Sequence, residues 1–235
     1  MVRPRLLTGC FLVSLCAAGT AQAQLYFRAD TGYSKSTGAN FKDNDPNLNL
    51  ICGNAACQSG QFDDFGGTVI LSAGVGTRLN PNVRTDVTLG YRKYKLDQTD
   101  NGAPPTKFTA DIKSLAVMAN GYYDFSAGGV KPYAGIGIGA ARNNLGAISF
   151  DDGAGFRGNV PGDTKTGFAF AVMLGASIPL GQTLVLDVGY RYTDLGDVKS
   201  KTNAPVTVNG VVVPPPYPGA TGNLRANELV IGLRF

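Results

Sequence analysis

The chain has 235 residues, with no histidine, no tryptophan and only three methionines. The absence of histidine excludes a Ser-His-Asp triad, a Cys-His pair, His-ligated zinc and an imidazole general base. Glycine is high at 32 residues, charged residues make up only 16%, and the formal charge is +4. A chain of this length fits one domain, which can be large if it is all-β.

Residues 1–23 read as a cleavable leader. Arg3 and Arg5 precede the apolar stretch Leu6–Ala18, and Ala21 and Ala23 place small residues at −3 and −1, so cleavage is expected after Ala23. The apolar stretch is shorter than the ~20 residues a spanning helix needs. Removing Arg3 and Arg5 leaves 19 basic against 17 acidic residues, a net +2 over 212 residues. That near-neutral balance carries no nucleic-acid signal. Cys10 and Cys16 leave with the leader. Cys52 and Cys57 remain, an even pair in an exported chain, which reads as a disulfide.

Residues 24–235 show period-2 alternation in eight segments, at about 25–36, 66–79, 83–95, 110–125, 130–142, 166–179, 183–195 and 224–235. In the third, Val83, Thr85, Val87, Leu89 and Tyr91 lie on one face, with Arg84, Asp86, Thr88, Gly90 and Arg92 on the other. The fifth sets Ala134, Ile136, Ile138 and Ala140 against Gly135, Gly137 and Gly139. The first connection, from about Thr37 to Phe65, is long; its Asp43-Asn44-Asp45 run lacks the glycine and terminal glutamate of a calcium loop and reads as a surface turn. Asn80-Pro81-Asn82, Ser126-Ala127-Gly128-Gly129 and Leu180-Gly181-Gln182 make short turns, whereas the other connections run from about 14 to about 30 residues. In the last, Val211–Pro218 reads as a polyproline-like segment with apolar flanks. Short turns alternating with long loops indicate an eight-stranded antiparallel up-and-down transmembrane barrel, with turns periplasmic and loops extracellular.

The polar face distinguishes a membrane barrel from a soluble one. It carries Arg28, Arg78, Arg84, Arg92, Arg191 and Arg234 with Asp30, Asp86, Asp124, Asp187 and Glu228, and almost no lysine. Planar, weakly hydrated guanidinium groups suit enclosed, paired sites. These eleven residues are therefore expected to line a narrow lumen. Gly32, Gly74, Gly76, Gly90, Gly135, Gly137, Gly139, Gly175, Gly189 and Gly232 on the same face are expected to make room for long side chains from opposite strands. With no tryptophan, the interfacial belts fall to Tyr26, Tyr33, Tyr91, Tyr123, Phe125, Tyr190 and Tyr192, although Tyr26 has the inner parity.

Leu186–Gly196 (LDVGYRYTDLG), Val117–Phe125 (VMANGYYDF), Pro132–Gly137 (PYAGIG) and the Phe-terminated last strand resemble, in order, strands of the small opacity-type and OmpA-like surface barrels of Gram-negative bacteria. The resemblance implies an outer-membrane location and a non-enzymatic role as an envelope protein, surface antigen or adhesin. Lipid and lipopolysaccharide would be its surroundings, and nucleic acid is not expected as a partner. Leu229, Ile231, Leu233 and Phe235 resemble the sorting signal read by the barrel-assembly machinery. The expected function is structural, with the lumen plugged by its charged residues and the long loops free to bind a surface ligand. A narrow or gated ion path and an adhesin acting through the first and fourth loops are the alternatives. No cofactor or metal site is expected.

Overall fold

The computed structural model describes residues 24–37, 42–45, 65–99, 104–125 and 128–235, with backbone only at 42 and 213–216. The expected leader with Ala21 and Ala23, the Cys52/Cys57 pair expected as a disulfide and most of the Asp43–Asn54 segment lie outside these residues.

The described residues form thirteen strands: β1 Gln24–Thr37, β2 Lys42–Asp43, β3 Gly67–Arg78, β4 Val83–Thr99, β5 Lys107–Asp124, β6 Lys131–Leu145, β7 Ile148–Asp151, β8 Arg157–Val160, β9 Thr164–Pro179, β10 Val185–Lys199, β11 Ala204–Val208, β12 Val211–Tyr217 and β13 Ala220–Arg234. Eight of them, β1, β3, β4, β5, β6, β9, β10 and β13, pair antiparallel with their neighbours in chain order. β13 then pairs with β1, which closes the barrel. These are the eight expected strands. The main difference is length: β4 has 17 residues and β5 has 18, against the ~9–11 a tilted strand needs to span a bilayer. The excess lies at the end bearing the long connections, so the barrel stands proud of the membrane there.

At the other end the connections are short, and the one between β3 and β4 is capped by its own side chain. Asn80 Oδ1 accepts the Asn82 and Val83 amides at 2.9 and 2.8 Å, an Asx device that reverses the chain between β3 and β4.

The period-2 pattern sorts the side chains onto two faces. Outward positions are apolar and exposed, with Ile136 at 68%, Phe168 at 66% and Leu229 at 64%. Aliphatic groups so exposed around a barrel belong against hydrocarbon rather than water. Tyr33, Tyr91, Tyr123, Phe125 and Tyr190 lie on this face. Tyr26 does not. It is buried in the lumen, where its hydroxyl donates to Asp86 at 3.0 Å, so parity outweighs its position near the strand end. Tyr192 is half-buried beside Phe170, with ring centroids 6.2 Å apart.

Two long connections are folded. Lys107–Thr109 of β5 pairs with β7, β7 with β8, β8 with β11 and β11 with β12. The third and fourth connections thus build one sheet that continues the barrel wall outward. Val211–Tyr217, read from its prolines as polyproline-like, is instead strand β12. The overlooked signal is Asn209-Gly210 between two valine-rich runs. Both residues have positive φ (51° and 80°), as a type I′ hairpin turn requires. Gly158 belongs to the same joint, because a Cβ there would overlap the Thr207 carbonyl on β11.

Candidate functional site

The interior is the place where this fold gathers its chemistry, and it is layered along the barrel axis. Nearest the short turns, Arg84 Nε donates to Asp124 at 3.0 Å and Arg234 Nη2 to Asp187 at 3.2 Å. Ser177 donates to Asp187 at 2.5 Å. The Arg84 guanidinium stacks over Tyr122 and Tyr133, 4.0 and 4.8 Å from their ring centres. Those contacts stand where its two terminal nitrogens lack hydrogen-bond acceptors. Arg78 reaches this layer only from the rim. It is 3.6 Å from Asp124, its side chain is 27% exposed, and it donates to the Pro81 carbonyl.

The middle layer is centred on Arg28. Its guanidinium bonds Asp30 at 2.8 Å, Asp86 at 2.9 Å and the Tyr122 hydroxyl at 2.9 Å. Asp86 also accepts from Asn120 at 2.8 Å, and Asp30 from Ser72 at 2.8 Å. In the third layer Glu228 is fully buried between two arginines. It accepts from Arg92 and Arg191 at 2.5 Å each and from Ser34 at 2.8 Å. Removing one partner from such a cluster leaves an uncompensated buried charge, at roughly 3–5 kcal/mol.

Charge does not fill the lumen alone. On β5, β6 and β9 the inward positions at membrane level also include the apolar Ala116, Met118, Ala141, Ala169, Ala171 and Met173. Beyond Glu228 the interior becomes wholly different: Phe65, Leu96, Ile112, Leu195, Val198 and Leu224 are each at most 2% exposed. Ile148, Phe150 and Val160 of the outer sheet join the same cluster. A bulge in β10 lets Leu195 and Val198 both point inward, because the pairing shifts between Asp194 and Asp197 and Gly196 adopts φ +74°.

The lumenal glycines serve a different purpose from the one expected. A Cβ at Gly135 would meet the Tyr122 ring, one at Gly189 the Tyr133 hydroxyl and one at Gly137 the Asn120 amide. They clear space mainly for cross-strand neighbours. At Gly74 an added Cβ would come within 3.3 Å of Arg28 Cγ, a case where the neighbour is an arginine. The vacancies opposite glycine are therefore filled laterally, chiefly by tyrosines.

The four residues of the last-strand signature, Leu229, Ile231, Leu233 and Phe235, lie on the outward face. Phe235 stacks on Phe27 of β1, centroids 6.2 Å apart, and its amide and carbonyl both bond Phe27. Sequence reasoning missed the apolar outer layer. Ile112, Leu195 and Leu224 fall at the ends of expected strands, but Leu96, Val198, Ile148 and Phe150 lie in extensions and connections, and Phe65 and Val160 stand outside any alternating run.

Outside the lumen, Asp163 sits at the start of β9 and accepts the Thr164 amide at 2.7 Å. That bond, with Lys199 at 3.1 Å, holds its carboxyl below the ordinary carboxylate range.

Comparison with known proteins places this architecture. The family described as "Outer membrane protein beta-barrel domain" matches residues 8–234. The Rickettsia conorii protein named "Putative adhesin RC1281" is 30% identical over 231 residues, covering 93% of this chain and 84% of that protein. Among solved structures, Neisserial surface protein A is similar at TM-score 0.52 and 21% identity, covering 91% of this chain and 98% of that one. The outer membrane protein OprG from Pseudomonas aeruginosa is similar at TM-score 0.53 and 14% identity, covering 89% and 95%. These two likenesses show the fold, an outer-membrane barrel of the opacity and OmpA-like kind. The chain belongs to the outer membrane protein beta-barrel domain family.

Proposed function

We propose that the protein is a non-conducting, non-enzymatic barrel of the Gram-negative outer membrane that presents its folded outer sheet as a binding surface, in the manner of an adhesin. The observation that carries the reading is the packing of the interior. Ion pairs occupy its inner layers and an apolar cluster its outer one, so a hydrated ion would meet fixed, mutually satisfied charges and then a dry plug. Eight strands enclose an interior that side chains can fill. The third and fourth connections, by contrast, form an ordered sheet from β5 to β12. Order of that kind lowers the entropic cost of binding a partner. The name given to the Rickettsia conorii relative supports the adhesive role. The lack of histidine supports the non-enzymatic one.

Two measurements test the two halves of this reading. Refolded protein in a planar bilayer is expected to give no steady conductance, and large porin-like openings would overturn the plug. Cells displaying the protein with Ala204–Tyr217 replaced by a short Gly-Ser turn are expected to adhere less than cells with the intact chain. Equal adhesion would remove the fourth connection from the binding surface.

A further inference from the structure

Among the described residues the outward face of the barrel carries its charged side chains at one end only. Along β4 the outward residues are Val83, Thr85, Val87, Leu89 and Tyr91, then Lys93 and Lys95. Nine residues from Val83 to Tyr91 match the ~9–11 that cross a bilayer, so the two lysines emerge at the level of the outer-leaflet headgroups. β5 and β6 repeat the change in register. Leu115 lies opposite Tyr91 on one side and Arg142 on the other, and Lys113 lies opposite Lys93. Neighbouring strands are ~4.8 Å apart and successive outward rows ~6.8 Å apart. Lys93, Lys95, Lys113 and Arg142 therefore converge within one patch spanning three strands. All four are exposed. Lys93 pairs with Asp111 at 3.0 Å, whereas Lys95, Lys113 and Arg142 have no carboxylate partner among the described residues. At the opposite rim the outward residues Leu25, Phe27, Leu79, Tyr123, Phe125 and Phe235 carry no charge.

Below the patch and extending from it toward β1 and β13 lies a groove of about 610 Å³ in the apolar band, lined by Ala29, Leu71, Ala73, Tyr91, Leu115 and Ile231. Ala29 and Ala73 are register partners, and their small side chains form its floor between larger neighbours. Its upper end is Tyr91 and Leu115, the residues immediately beneath Lys93 and Lys113.

We infer that the outer wall formed by β1 and β3–β6 is a binding site for lipid A, with an acyl chain in the Ala29/Ala73 groove and its phosphates held by Lys95, Lys113 and Arg142. An apolar groove continuous with unpaired cations at headgroup depth matches an anionic glycolipid of the outer leaflet. A soluble ligand would have no use for the groove. The site depends on the barrel's place in the membrane and not on the closed lumen or on the outer sheet.

The test uses the full chain refolded in phosphatidylcholine nanodiscs and titrated with bisphosphoryl lipid A, monophosphoryl lipid A or phosphatidylglycerol, bound lipid being counted by native mass spectrometry. Folding of each variant is checked by heat-modifiable gel mobility, and the substituted side chains are exposed. Lys113→Gln with Arg142→Gln is expected to weaken bisphosphoryl lipid A binding about tenfold or more. Arg157→Gln with Lys201→Gln, which removes two cations elsewhere at the outer end, should leave it unchanged. Equal retention by the Lys113/Arg142 variant would overturn the site. Equal binding of phosphatidylglycerol and bisphosphoryl lipid A by the unaltered protein would overturn the assignment to lipid A. If the variant loses binding to soluble heparin while keeping lipid A, the patch serves an external polyanion and the proposal fails.

Discussion

At membrane level the lumen holds Arg28, Asp86, Glu228 and their partners in directional, charge-assisted bonds; in the outer layer the same barrel encloses Phe65, Leu96, Leu195 and Leu224, with no ion pair among them. The two fillings answer different surroundings. Within the bilayer the outward face meets hydrocarbon, so burying apolar groups inside has little driving force, and closure rests on the backbone ladder and the inner bonds. Beyond the bilayer both faces of the wall would meet water, and there apolar burial favours folding by roughly 25 cal/mol per Å². An apolar cluster can therefore hold the strand extensions and recruit Ile148 and Val160 from the connections. The contrast separates a rigid, charge-registered stem from an end packed like a soluble domain, where added hairpins can be accommodated.

Breaking the stem should cost the most. Glu228→Ala leaves Arg92 and Arg191 facing each other without a carboxylate, an expected loss of roughly 3–5 kcal/mol, read as a lower urea midpoint for loss of heat-modifiable mobility. If its midpoint matched that of the intact chain, the inner cluster would not be holding the barrel closed.

The outer layer should fail differently. Leu195→Ala or Leu224→Ala removes a fully buried side chain, at roughly 2–5 kcal/mol. The loss is expected to appear as limited proteolysis within 146–163 and 200–219 while the stem keeps its mobility shift. Simultaneous loss of both signals would show that stem and outer layer unfold as one unit.

Overpacking tests the lateral role of the glycines. A side chain at Gly76 would collide with Tyr26 and Asp86, so Gly76→Val should destabilise by about 1–3 kcal/mol, measured by the same urea series. Tyr26→Phe keeps the ring, loses the hydroxyl's bonds to Asp86 and to the Thr85 carbonyl, and should cost less.

The smallest effect concerns Asp163. Because its carboxyl is held below the ordinary range by the Thr164 amide and Lys199, its contribution is complete above the unfolded value of 3.8. It is lost as pH falls further, through the folded value. Asp163→Asn should therefore lower stability slightly at pH 7 and by progressively less as pH falls below 3.8; an effect independent of pH across that range would exclude this linkage.

Much of the stem was legible because period-2 alternation has a single reading once one face is apolar. Arg84, Asp86 and Arg92 share parity, and parity alone separates them from Val87 and Leu89. Which carboxylate each arginine meets was not legible. Glu228 lies 136 residues from Arg92, and only barrel closure and register bring them together. Two other points called for different rules. Asn209-Gly210 carried a hairpin signal that the neighbouring prolines obscured. Tyr26 followed its parity rather than the belt its position indicated.

By itself the sequence determined a closed eight-stranded barrel, the face each strand residue takes and the absence of imidazole chemistry, because these follow from local alternation and composition. Tertiary structure decided the ion-pair partners, the apolar outer layer, the sheet built from the third and fourth connections, and the gathering of Lys95, Lys113 and Arg142 at the edge of one groove. Each of these depends on which residues become neighbours across strands, a consequence of register and closure that no single segment encodes.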